Sequence, residues 1–224
     1  MSVRIFSMDV RKKLNEARLY LCTPGFADLQ RFSDFAEQVL AGGVDIIQLR
    51  DRSLDVLTEL KYYEILTALA AKKGALVAVN DRADLVRATG AHLLHLGQRD
   101  LPPHLAREIV GQQVLIGRST SGGQFAMQAA GDTEIDYFCV GPVWETPTKP
   151  GRANIALEGL AQTAAQLKTQ HVTKPWFAIG GITASNLEQV QQAGATKVVV
   201  VRALTEAKDP YEATCSLKKR LLEF

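Results

Sequence analysis

Residues 18–28 read RLYLCTPGFAD, and they decide between the two parallel folds open to this chain. A short apolar run breaks at Thr23-Pro24-Gly25 and passes into a segment of helical period. An open, doubly wound dinucleotide-binding sheet would carry GxGxxG at this first strand-to-helix turn, and CTPGFAD is a poor match to it. The same strand-then-helix order recurs along the chain without a low-complexity linker. Strands are expected at 18–23, 46–50, 76–80, 92–96, 114–119, 137–140, 175–179 and 197–201. Helices are expected at 28–41, 55–73, 83–89, 102–110, 123–130, 157–169, 185–193 and 210–222. Strands that alternate with helices pair in parallel, because each parallel connection needs a crossover. Eight such units fit a closed barrel, so the expected class is α/β, a single (β/α)8 TIM barrel over residues 1–224 with 1–17 as an N-terminal extension. The chain is somewhat shorter than is typical for that fold, and the open sheet is the alternative.

Local signals mark several element ends. Ser185 followed by Glu188 is a capping-box pattern, and Asp209-Pro210 with Glu212 offers an N-cap, a first-turn proline and an acid. The pairs Gly74-Ala75, Gly90-Ala91 and Gly194-Ala195 separate a helix from the next strand, as C-terminal glycine caps do.

Composition excludes several function classes. The net charge is +2 with no basic block or cationic stripe, which points to neither a nucleic-acid nor a membrane partner. No apolar run approaches membrane-spanning length, and residues 1–13 lack a signal-sequence core. Cys22 and Cys139 sit in apolar runs and read as buried thiols of a reducing compartment, with Cys215 elsewhere; a cytoplasmic protein is expected.

Polar residues gather at the carboxyl ends of the expected strands, where barrel enzymes place their sites. Gln48 and Arg50 share a strand face by the period of two, with Arg52 continuing the parity, while Ile47 and Leu49 turn to the outer helices. The third strand ends in Asn80-Asp81, the fourth reaches Gln98 and Asp100, and the fifth ends in Ser119-Thr120. The seventh ends in Gly180-Gly181, ahead of a helix that offers backbone N–H groups to a phosphate, and Arg202 follows the eighth. The sixth runs into residues 136–152, DYFCVGPVWETPTKPGR, where Thr146, Thr148 and Lys149 suit an anion-binding loop.

Each piece has a plainer reading. Gln48 and Arg50 would pair with rim acids, Asp81 and Asp100 would start helices, and Gly180-Gly181 would be a tight turn. His92 and His95, inside an apolar strand, read as packed structural histidines. Taken together, two carboxylates on adjacent strand ends with an amide oxygen beside one suit a hard divalent cation that keeps waters and phosphate oxygens, magnesium rather than zinc. Arg50, Arg52 and Lys149 would surround a large anion such as pyrophosphate, with a second phosphate at Gly181 and Arg202. No Ser/His/Asp or Cys/His constellation is evident, so the chemistry expected is electrostatic rather than covalent.

The segments IIQLRDR (46–52), VNDRADL (79–85), HLGQRDLP (95–102), IGRST (116–120), 136–152 and WFAIGGI (176–182) stand in the order and spacing of the thiamine phosphate synthase family. The chain resembles that family from about Arg18 to Leu204, with an actinobacterial flavour in LYLCT, GGVDIIQLRD, PTKPGR and VVVVRAL. The resemblance implies a (β/α)8 barrel that joins hydroxymethylpyrimidine pyrophosphate to a thiazole phosphate, carboxylated in many members, giving thiamine phosphate and pyrophosphate, with carbon dioxide from the carboxylated form. It implies that Gln48, Leu49, Arg50, Asp51, Arg52, Asn80, Ser119 and Lys149 contact the pyrimidine pyrophosphate. It assigns magnesium to Asp81 and Asp100, and the thiazole phosphate to Thr146, Pro147, Thr148, Gly181, Val201 and Arg202. Arg50, Ser119 and Lys149 are the implied catalytic residues of a dissociative, magnesium-assisted mechanism.

The sequence departs from the family pattern at five positions. Arg52 replaces a usual lysine, Glu145 a common proline, Arg118 a small apolar residue, Arg202 a serine, and Ser121 a frequent histidine. The related thiazole tautomerases share the barrel but use that histidine, which this chain lacks while keeping Asn80, Asp81, Gln98, Asp100 and Lys149. A phosphate-binding barrel without catalysis is the remaining alternative.

Overall fold

The computed structural model describes residues 2–146 and 153–224, with side chains from Asp9 onward. Eight parallel strands close in sequence order, β1 pairing with both β2 and β8. The elements run α1 (Ser2–Glu16), β1 (Leu19–Thr23), α2 (Leu29–Ala41), β2 (Ile46–Leu49), α3 (Val56–Lys73), β3 (Leu76–Asn80) and α4 (Ala83–Thr89). They continue β4 (Leu93–Leu96), α5 (Pro103–Val110), β5 (Leu115–Thr120), α6 (Gly123–Gly131), β6 (Tyr137–Val140) and α7 (Ala156–Thr169). The last are β7 (Trp176–Ile179), α8 (Leu187–Gln192), β8 (Val198–Val200), α9 (Arg202–Thr205) and α10 (Pro210–Leu222). The closed barrel rules out the open-sheet alternative. No helix among the described residues is long and apolar enough to cross a membrane.

Strand parity divides the core in two. Ile47, Leu49, Val77, Val79, Leu94, Leu96, Ile116 and Phe138 face the helical shell. Tyr20, Ile46, Leu76, Leu93, Leu115, Tyr137, Phe177 and Val199 fill the barrel interior. Gly117 makes that interior possible. A Cβ there would lie 2.1 Å from the Tyr137 ring, so the missing side chain is what admits the phenol to the barrel axis.

Most caps follow the sequence. Asp209 accepts from the N–H of Glu212, and Gly74 and Gly90 end their helices in the left-handed conformation. The capping box at Ser185 is not formed. Helix α8 starts at Leu187, and Asn186 instead folds its side chain back, accepting from the N–H of Thr183 and donating to the carbonyl of Gly181. Gly181 therefore precedes a short loop and not the helix itself.

Two helices were absent from the sequence reading. The extension before β1 forms α1, whose Val10 and Leu14, with Ala17 just beyond it, close the floor of the interior core. Its Arg11 pairs with Asp136 at 2.5 Å, and Lys197 donates to the carbonyls of Asn15 and Ala17 at 2.5 Å. Those partners stand at the amino ends of β6 and β8, opposite the polar ends. The other addition is α9, a four-residue helix directly after β8.

Candidate active site

A cavity of about 250 Å³ opens at the carboxyl ends of the strands. β2 contributes Gln48 and then Arg50, β3 Asn80, β4 His95, and β5 Ser119 and Thr120. Thr146 comes from the loop after β6, Gly180 and Gly181 follow β7, and Val201 and Arg202 follow β8. Gly180 and Gly181 bring their backbone to the wall because nothing larger fits. Their φ angles are +107° and +71°, and a Cβ would lie 2.5 Å from the Pro142 Cα in one case and 2.9 Å from the Trp144 Cβ in the other.

Gln48 is 4% exposed, and among the described residues its Nε2 has no hydrogen-bond partner. A buried amide donor left unmade costs about 1–3 kcal/mol, which leaves this group open to an acceptor that enters the cavity. Ser119, on the same cavity wall, is also buried, with its Oγ 2.9 Å from His95 Nε2. His95 Nδ1 lies 3.2 Å from the Tyr137 hydroxyl. His95 is thus a packed histidine, as its strand position suggests, and also part of the cavity wall.

Asp81 and Asp100 meet at the rim. Neither caps a helix: α4 starts from Arg82 and α5 from Pro102. Asp81 has a φ of +51°, uncommon for a residue with a side chain, and accepts from Asn80 Nδ2 at 2.7 Å. Asp100 Oδ2 accepts from the Gly97 N–H at 2.6 Å. Arg52 Nη2 stands 3.5 Å from Asp81 Oδ2 and 3.9 Å from Asp100 Oδ1. Burial and the charge of Asp100 push the Asp81 carboxyl above its usual value, against the pull of Arg52 and Arg50. Two facing carboxylates with excess negative charge fit a hard divalent cation. Among the described residues no cluster of three or more His, Cys, Asp or Glu exists, so protein alone would not complete its shell.

The expected site residues fall into three groups. Gln48, Arg50, Asn80, Ser119, Thr146, Gly181, Val201 and Arg202 line the cavity. Leu49, Asp51, Arg52, Asp81 and Asp100 do not. The Leu49 side chain lies in the outer core and its carbonyl accepts from the Tyr63 hydroxyl, because one residue of parity turns it away from Gln48. Asp51 organises its own loop, accepting from the N–H of Gly25 and from Ser53. Arg52 stays with the acid pair. Pro147, Thr148 and Lys149 lie outside the described residues. Glu145 is exposed and forms no part of the cavity wall.

Cys22 and Glu206 join the wall without having been expected there. The strand register holds a signal for Cys22, which pairs with Gln48 and so shares its inward face. Glu206 lies past the end of α9, which is too short to announce itself by period.

Cations and hydroxyls lining one cavity at the carboxyl end, with a carboxylate pair next to Asn80, are the arrangement of a (β/α)8-barrel enzyme. Residues 19–204 match the family described as TMP-TENI, thiamine monophosphate synthase, and the chain belongs to that family. It is 52% identical over 213 residues to a thiamine-phosphate synthase of Thermobifida fusca, covering 95% of this chain and 96% of the relative. It is 53% identical over 219 residues to one of Mycobacterium bovis, covering 93% and 96%. A solved thiamine phosphate pyrophosphorylase from Pyrococcus furiosus superposes with a TM-score of 0.80 at 30% identity, covering 94% of this chain and 98% of that one.

Proposed function

We propose that the protein joins 4-amino-2-methyl-5-hydroxymethylpyrimidine pyrophosphate to a thiazole phosphate, or its carboxylated form, releasing thiamine phosphate and pyrophosphate, with carbon dioxide in addition from the carboxylated form. Residues 1–224 act as one barrel domain in the cytoplasm on these small molecules. The observation that carries the reading is the convergence of an unpaired Gln48 donor, Arg50, Ser119 and Arg202 on one cavity beside the Asp81–Asp100 pair.

Gln48, Asn80 and Ser119 orient the pyrimidine, while Arg50 and Lys149 meet its pyrophosphate. Thr146, Pro147 and Thr148, which follow β6 in sequence, hold the thiazole phosphate together with Gly181, Val201 and Arg202 from the loops after strands seven and eight, where barrels often bind phosphate. The methylene carbon–oxygen bond breaks with its electron pair leaving on pyrophosphate. The thiazole nitrogen then donates its lone pair to the pyrimidine methyl cation. Anchoring both phosphates places the nitrogen in line, a contribution of position rather than of covalent chemistry. Asp81 and Asp100 would hold magnesium, which when bound neutralises charge on the departing pyrophosphate. Arg52, within 4 Å of both carboxylates, would stand beside a metal held there and add its charge on the pyrophosphate side.

Purified protein mixed with both substrates tests the reading. Thiamine phosphate is expected with magnesium and not with EDTA. No product with magnesium present would refute the synthase reading, and turnover unaffected by EDTA would remove the metal role of Asp81 and Asp100.

A further inference from the structure

Four buried side chains form a single file inside the barrel. The hydroxyls of Tyr20 and Tyr137 are 3.3 Å apart, Tyr137 meets His95 Nδ1 at 3.2 Å, and His95 Nε2 meets Ser119 Oγ at 2.9 Å. Each contact alone permits either partner to donate. The file as a whole does not.

A neutral imidazole has one donor and one acceptor, so two directions are open. Toward the cavity, Tyr20 donates to Tyr137, Tyr137 to Nδ1, and Nε2–H to Ser119. Every buried proton is then spent and the Ser119 hydroxyl proton is left for the cavity. In the opposite direction Ser119 donates to Nε2, Nδ1–H to Tyr137 and Tyr137 to Tyr20. The Tyr20 proton is then stranded, because the Tyr20 ring is walled by Phe177 and His95 edges and Tyr137 is the hydroxyl's partner among the described residues. That leaves a fully buried donor unmade, the more expensive arrangement. An imidazolium strands the same proton and adds a buried charge. Burial also pushes both phenols well above their ordinary pKa, so both retain the protons that the outward direction uses.

We propose that Tyr20, Tyr137 and His95 are positioning residues that fix Ser119 as a hydrogen-bond donor toward the cavity, so that the ligand atom it meets is an acceptor. The unpaired Gln48 Nε2 donor on the same wall asks for the same chemistry. The ligand edge that enters here presents lone pairs, as a pyrimidine ring nitrogen or a phosphate oxygen does. The consequence for turnover rests on the synthase reading; the histidine tautomer does not.

The test is long-range proton–nitrogen NMR of the full chain labelled with 15N-histidine, with His95→Gln assigning the His95 signals. The proposal expects His95 protonated on Nε2 and bare on Nδ1 in the substrate-free protein. Tyr20→Phe keeps that tautomer, and Tyr137→Phe, which removes the donor to Nδ1, mixes or reverses it. In turnover, Tyr137→Phe lowers kcat/KM for the pyrimidine substrate roughly tenfold and Tyr20→Phe less than about threefold. Ser119→Ala and Tyr137→Phe combined cost less than the product of their separate effects, as groups acting in one file do. A wild-type His95 carrying its proton on Nδ1, or on both nitrogens, overturns the proposal whatever the turnover. Effects that multiply in the double variant overturn the link from the file to Ser119. Absent turnover in the wild type would strike the synthase reading and leave the tautomer result standing.

Discussion

Gly117 shows how much of this site is settled by single residues. The Tyr137 ring occupies the space its side chain would take, so Gly117→Ala should cost about 1–3 kcal/mol by overpacking. A urea midpoint equal to wild type would show that the ring yields freely. Arg52 is the only described cation within 4 Å of both rim carboxylates, and it competes with any divalent ion for them. Arg52→Gln should therefore bind manganese about threefold more tightly in substrate-free protein, the scale of an exposed ion pair. Calorimetric titration giving equal or weaker binding would contradict that competition. Asp100→Ala, by contrast, should lower turnover by about 100-fold, roughly 3 kcal/mol of transition-state stabilisation, with unchanged circular dichroism. Near-normal turnover would show that Asp100 holds nothing that matters to the reaction. The inward aim of Gln48 and Arg50 was legible, because a period of two leaves one choice once Ile47 and Leu49 face the shell. The aim of Arg52 was not. Arg50 directly follows β2 and keeps its parity, whereas Arg52 lies three residues past the strand end, where parity no longer constrains a side chain.

At the scale of elements, α1 is the clearest addition to what the sequence announced. Val10, Leu14 and Ala17 recur at helical spacing, but the stripe is short and set among charges, and its partner surface exists only once the barrel has closed. Leu14→Ala should cost about 2–5 kcal/mol, measured as a shift in the denaturant midpoint, since Leu14 is 2% exposed over the floor of the interior core. A shift near zero would place α1 loosely on the barrel. Lys197 ties the end of α1 to β8, and burial first, then the charge of Arg18, lowers its pKa from 10.5 to about 8. Between those values the unfolded chain holds a proton that the folded chain has lost, so stability from this group rises with pH across about 8 to 10.5. Below pH 8 the burial penalty is present in full. Lys197→Met should flatten that rise relative to wild type in urea titrations at pH 7.5 and 10, and identical slopes would contradict the assignment. Helix α8 teaches the converse lesson: Ser185 and Glu188 have capping-box spacing, yet Asn186 takes the turn by bonding to Thr183 and Gly181.

For the whole molecule, the division of labour is between a shut floor and an open carboxyl end. Alternation of strands and helices was enough to name the barrel, because parallel pairing and seven crossovers leave few other closures. The cavity was legible as a list of strand ends and not as a shape. Which residues share its wall depends on the stagger between neighbouring strands, seen where Cys22 pairs with Gln48 while Asn80 pairs with His95. In the proposed reaction one cavity couples two anionic substrates by expelling pyrophosphate. Quantifying both products in a single reaction tests it most directly. With magnesium and both substrates, thiamine phosphate and pyrophosphate should rise one for one, and Arg50→Ala should suppress both together. Pyrophosphate released without thiamine phosphate, or an Arg50→Ala protein as active as wild type, would contradict the account.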